Sequence, residues 1–290
     1  MRFEAESELV REAVSAEYAE FVIAITELGG VTALMGILAL LFWWGDRRQS
    51  ALVISYAIAG LAVLLAVKTA FALPRPPEDA MLVALEDERE GYGFPSGHAF
   101  AATVVYGGLL SMSDRAREPW TVVGVVALVV AVSLSRVVLG VHYLGDVIVG
   151  MLLGVGFVVA MNRLTRGVPA VGFAVALVLA VPALAITGVS EDTVLAVGGA
   201  LGGLLTAGRI DRLPALRSRL EGVALAAVGG SGIVVLQVAE SVVDATLALG
   251  VLYAALVAWI FVVPTVVGRV GDRLVDSSVD NRRSRRPTEE

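Results

Sequence analysis

Apolar runs long enough, or nearly long enough, to cross a bilayer recur along this chain, and they limit its fold more than any other feature. They occupy residues 21–44, 51–71, 99–112, 122–139, 144–159, 168–186, 194–207, 223–238 and 245–267. Inside hydrocarbon no water is present to satisfy an open backbone, so such runs must close their own hydrogen bonds as helices. The background composition agrees: 57% of residues are hydrophobic, 17% are charged, and the mean hydropathy is +0.80. The expected fold is therefore all-α, a polytopic membrane helical bundle of about nine transmembrane helices. Glu27 lies inside the first run, ahead of Gly29 and Gly30, which puts the start of that crossing near Gly30. Trp43 and Trp44 are expected to anchor it at the interface. The runs 99–112 and 194–207 are short against the roughly 20 residues a bilayer needs.

Loop charges give the runs a direction. With loops numbered alternately, sixteen of the 22 basic residues fall on one side. Six fall on the other: Arg2, Arg11, Lys68, Arg75, Arg89 and Arg136. Basic loops stay cytoplasmic during insertion. The C-terminus is thus expected in the cytoplasm of a multi-pass cell-membrane protein, and the face carrying those six is expected outside. The net charge of −6 argues against a nucleic-acid partner, which would call for a basic stripe. With no cysteine, neither disulfides nor thiolate chemistry are available.

Three short blocks on the outer face carry the chemistry. The first is Lys68, Arg75 and Pro76; the second is Pro95-Ser96-Gly97-His98; the third is Ser135-Arg136, His142 and Asp146. Both histidines and the one lysine of the chain lie in them. His142 and Asp146 are four apart, the spacing that puts two side chains on one helix face. A carboxylate there holds an imidazole in one tautomer and stabilises its charged form. Lys68, Arg75 and Arg136 supply positive charge, the arginines as planar forks suited to phosphate. Gly97 permits close backbone approach, and a helix beginning there aims its amides and dipole at an anion. Ser96 serves either as the cap of that helix or as an anion ligand.

Taken together, K-x6-R-P, P-S-G-H and S-R-x5-H-x3-D resemble the signature of the type 2 phosphatidic acid phosphatase superfamily, whose active site is similar to that of vanadium haloperoxidases. The resemblance covers residues 51–164. It implies a lipid phosphatase core in which His142 attacks phosphorus to form a phosphohistidine. His98 then protonates the leaving oxygen and activates water. Lys68, Arg75, Arg136, Ser96 and Gly97 bind the phosphate. Neither a cofactor nor a metal is needed in that scheme. The substrate expected is a lipid phosphate or prenyl diphosphate, with membrane lipids around it. A phosphotransferase using the same site, a vanadate haloperoxidase, and a non-enzymatic anion transporter or scaffold are the competing readings. Haloperoxidases of this kind are typically soluble, which counts against that one here.

The acidic stretch Glu78, Asp79, Glu86, Asp87, Glu88 and Glu90 lacks a histidine and any tight ligand spacing, and is expected to be a solvated loop. Domain organisation follows: 1–20 an amphipathic or solvated segment, 21–187 the catalytic membrane core, 188–268 additional helices, 269–290 a basic tail. Gly150/Gly154, Gly198/Gly202 and Gly199/Gly203 mark places where helices can touch. The sequence leaves the oligomeric state open.

Overall fold

Every apolar run folds into helix, the first as two helices with a break between them, and the helices differ in length. The structure is a computed structural model and describes residues 2–83 and 91–283. Glu86, Asp87, Glu88, Glu90 and residues 284–290 of the tail lie outside the described residues. Among the described residues every regular element is helical. Two helices, α1 (Glu4–Glu12) and α2 (Ala19–Glu27), precede the main bundle. The bundle follows as α3 (Val31–Trp44), α4 (Arg47–Phe71), α5 (Gly97–Met112), α6 (Pro119–Val138), α7 (Leu144–Thr165), α8 (Pro169–Thr187), α9 (Glu191–Ala207), α10 (Arg219–Glu240) and α11 (Thr246–Arg283). Local signals set several starts. Asp46 caps α4 by accepting from Gln49 N–H at 3.0 Å, Ser190 caps α9, and α6 and α8 open on a proline that has no amide to leave unpaired.

Among the described residues six helices have the length and apolarity to cross a membrane: α4, α6, α7, α8, α10 and the Thr246–Arg269 part of α11. A seventh results if Ala16–Glu27 and Val31–Trp44, bent by 48°, are one broken span. The break falls at Gly29-Gly30, where the sequence places the start of the first crossing. Helices α5 and α9, at 16 and 17 residues, are too short to meet the same test. Length and composition alone therefore support six or seven of the expected nine crossings.

Helix α4 is the axis of the bundle, and about half of its residues are buried. Helix α5 runs antiparallel along it. Phe100 lies against Gly60, Val53 against Gly108, and Gln49 Nε2 donates to the Leu109 carbonyl at 2.6 Å. Helix α7 presses on α5 so closely that a Cβ at Gly150 would stand 2.7 Å from the Ser96 carbonyl oxygen, and one at Gly154 would stand 2.7 Å from Thr103 Cβ. The glycine pairs of α9 divide between partners in the same way. Gly198 and Gly202 face α11, while Gly199 meets Ile58 of α4 and Gly203 meets Phe173 of α8.

Two expectations change. Trp43 is not an interfacial anchor; it is 2% exposed, with its indole donating to the Ile260 carbonyl at 2.9 Å. Hydropathy alone could not tell which of two adjacent tryptophans faces inward. Trp44 keeps an exposed ring and donates to the Gly222 carbonyl. The segment 1–20, helical over Glu4–Glu12, docks on the protein: Val10 and Val14 pack against Val22, Val138, Leu139 and Val141.

Candidate active site

The site gathers at one end of the bundle, where α4 and α6 finish and α5 and α7 begin. Lys68 sits in the last turn of α4 and donates to the Tyr92 carbonyl at 3.1 Å. A methyl group added at Gly97 would come within 4.0 Å of Lys68 Nζ, so the ammonium stands beside the first turn of α5. Ser96 holds the N-cap position of α5 and is fully buried, yet its hydroxyl makes no cap bond and has no hydrogen-bond partner among the described residues. The cap reading of Ser96 thus fails in the observed geometry; a buried hydroxyl remains at the amide end of a helix, where anions are favoured. Its backbone N–H donates to the carbonyl of Asp146 at 3.0 Å.

Arg136 ends α6 with its side chain fully buried, a costly place for a charge, and Nη1 donates to Thr26 Oγ1 of α2 at 3.1 Å. The chain then reverses. The Arg136 carbonyl accepts from Val141 and His142 N–H, and Gly140 takes a φ of +76°, a left-handed conformation that costs glycine little. A Cβ at Gly140 would also collide with the Ala80 carbonyl, so the strap 77–82 lies across this turn.

His142 emerges from the turn 1% exposed. Its Nδ1 stands 3.6 Å from Asp146 Oδ2, and its Nε2 stands 3.4 Å from Arg75 Nη1. The pairing does not arise from a shared helix face. His142 precedes Tyr143, the extended N-cap of α7, and Asp146 in the first turn accepts from Tyr143 N–H at 2.9 Å. One carboxylate thus caps its own helix and faces the imidazole. Burial, then the Arg136, Arg75 and Lys68 charges, hold His142 down to about 4 against the opposing pull of Asp146. The ring is neutral at ordinary pH, with a nitrogen turned toward cations.

All eight sequence-predicted residues therefore lie at this end of the bundle, with Lys68, Arg75, Arg136 and Asp146 all close enough to His142 to act on its charge. His98 is half-buried in the first turn of α5 and opens on an apolar cavity of about 160 Å³, lined among others by Met35, Leu61, Leu64, Val105 and Leu195. Among the described residues no group of three metal-binding side chains comes together.

Sequence reasoning missed one residue. Arg2 reaches Asp146 with two nitrogens, Nε to Oδ1 at 2.8 Å and Nη2 to Oδ2 at 2.7 Å. The signal was faint: Arg2 is a basic residue on the face from which basic residues are depleted.

Residues 48–168 match the model of the PAP2 superfamily. Two curated relatives, both named decaprenylphosphoryl-5-phosphoribose phosphatase, come from Mycobacterium tuberculosis strains CDC 1551 / Oshkosh and ATCC 25618 / H37Rv. Each is 35% identical over 125 residues, 43% of this chain and 64% of the relative. The chain thus spans just under two thirds of the relatives it matches. No solved structure matches it significantly.

Proposed function

We propose that this chain, whose residues 48–168 form a PAP2 superfamily domain, is an integral membrane phosphatase that hydrolyses a lipid phosphate or prenyl diphosphate through a phosphohistidine. The observation that carries the reading is His142 strung between Asp146 at one nitrogen and Arg75 at the other. In the first half of the reaction the Nε2 lone pair forms the N–P bond as the P–O bond to the lipid breaks. The leaving oxygen takes its proton from His98. In the second half His98, now neutral, removes a proton from water, the hydroxide attacks phosphorus, and the N–P bond breaks to restore neutral His142. The Nδ1 proton stays facing Asp146 throughout. Lys68, Arg75, Arg136 and the first-turn amides of α5 offset the charge on the phosphoryl oxygens, the largest task in such transfers.

The lipid character of the substrate is supported by the apolar cavity behind His98, which an acyl or prenyl chain suits, and by the decaprenylphosphoryl substrate in the relatives' name. Nine crossings with the site outside remain our reading of the topology. Helix α5 supports it by running from beside Lys68 to Gln49, nearly the full length of α4. Helix α9 does likewise. Asp192 at its start is within electrostatic reach of Lys68, and Pro214 just after it accepts from Arg47 at 2.7 Å.

The test is phosphate release by the purified chain from a panel of lipid phosphates and prenyl diphosphates in detergent, with and without EDTA. Wild type should release phosphate in both, and His142→Ala should lose at least a thousandfold in kcat while remaining in the membrane. Near-normal turnover by His142→Ala would remove the proposed nucleophile. Loss on chelation with rescue by Mg²⁺ would mean that a metal takes part.

A further inference from the structure

We infer that Arg2 is a positioning residue of the reaction centre: its bidentate grip on Asp146 fixes the carboxylate that orients His142. The inference rests on reading His142 as the nucleophile. Arg2 lies far outside the segment that matches the superfamily, and no motif contains it.

The grip is built on both sides. Nε and Nη2 donate to the two oxygens of Asp146, while Nη1 donates to the Pro74 carbonyl at 2.7 Å, so the three guanidinium nitrogens are all engaged. The Arg2 side chain is 14% exposed and that of Asp146 is fully buried. The guanidinium carbon lies 4.5 Å from the centroid of the Tyr143 ring, beneath it. The Arg2 carbonyl accepts from Gly145 N–H at 3.1 Å. Added Cβ atoms at Gly93 and Gly145 would stand 3.0 Å from Arg2 Nη2 and from Arg2 Cα. Phe3, with a φ of 58°, then turns the chain away in a left-handed conformation unusual for so bulky a residue. Buried Ser7 pins the helix that follows, its hydroxyl accepting from Leu144 N–H at 2.8 Å. The N-terminal segment is thus fastened at Leu144, Gly145 and Asp146 in succession.

A bidentate arginine fixes a carboxylate in plane as well as in place. It also occupies the oxygens. Oδ2 already accepts from Arg2 and from Tyr143 N–H, and His142 Nδ1 stands off at 3.6 Å. The charged groups acting on His142 are Lys68 in α4, Arg75 after it, Arg136 in α6 and Asp146 in α7. Of these, Asp146 alone favours the imidazolium, and Arg2 offsets its charge. Without Arg2 the carboxylate turns its full charge on the ring, and His142 takes up a proton at higher pH.

The chain's two histidines make this measurable without turnover. His98→Asn leaves one imidazole, followed by NMR of labelled histidine in detergent across a pH series. Relative to that parent, Arg2→Gln should raise the protonation midpoint of His142 by about one pH unit. Arg2→Lys keeps the charge but loses the fork, and should raise it by less. Adding Asp146→Asn should abolish both shifts. With His98 restored, Arg2→Gln should move the acid limb of kcat/KM upward by the same amount. An unchanged midpoint in folded Arg2→Gln, or an equal shift with asparagine at 146, would overturn the inference. If Arg2→Gln does not fold, an unchanged midpoint in Arg2→Lys has the same force. Should wild type release no phosphate while the midpoint still moves, the phosphatase reading fails and the grip on Asp146 stands. Should phosphate be released and the midpoint stay fixed, the reverse holds.

Discussion

Ser96 is buried at the start of α5 with a hydroxyl that caps nothing. Removing a true cap costs about 1 kcal/mol, whereas Ser96→Ala should change stability by less than about 0.5 kcal/mol. If the hydroxyl binds phosphate, KM should rise several-fold in the same variant; an unchanged KM would deny it that role. His142 makes a second prediction. Its folded value of about 4 lies below the ordinary 6.5, so between these values the unfolded chain binds more protons than the folded one. Stability therefore rises with pH across that window. Thermal unfolding of wild type in detergent should move to lower temperature as pH falls from 6.5 toward 4, and His142→Gln should lose much of that slope. At this scale the sequence brought His142 and Asp146 together as near neighbours in the chain, though not through the helix face it suggested. Arg2 and Asp146 are 144 positions apart, and no local pattern joins them. Thr26, which holds Arg136, was hidden for the same reason.

Among the elements, the helices were legible because hydrocarbon leaves the backbone no alternative. Their facing was not. Trp43 and Trp44 are adjacent and equally apolar, and only packing against α10 and α11 decides that Trp43 points inward. The glycines of α9 were readable as contact points but not by partner. Gly202 lies against the Ala254 carbonyl of α11, where no side chain fits. Gly202→Leu should therefore overpack the α9–α11 contact, cost about 1–3 kcal/mol or more, and reduce the folded yield. Turnover per folded molecule should stay near wild type; a selective fall in kcat with intact folding would tie α9 to the chemistry.

For the molecule as a whole, the count of crossings was the least legible quantity. Helix α5, with 16 residues and half of them buried, lies along α4 although it is too short to count as a crossing by length alone. Length rules are calibrated on lipid-facing spans, and a packed helix of this kind is where they decide least. The charge asymmetry is a separate handle on direction. In this cysteine-free chain Asp79→Cys lies at the end of the bundle that bears the site, and Asp211→Cys follows α9. On intact cells an impermeant maleimide should label the first and spare the second; the opposite pattern would move the chemistry to the cytoplasmic leaflet. The backbone bond from Ser96 to Asp146 has a consequence for how the two rings are held. From one imidazole to the other a short linkage runs from His98 to Ser96, across one hydrogen bond, and from Asp146 back to His142. The long stretch of chain between the two histidines is absent from that linkage. The two rings are therefore tied together by a short local path as well as by the long stretch of chain between them, like a short gauge block set inside a long frame.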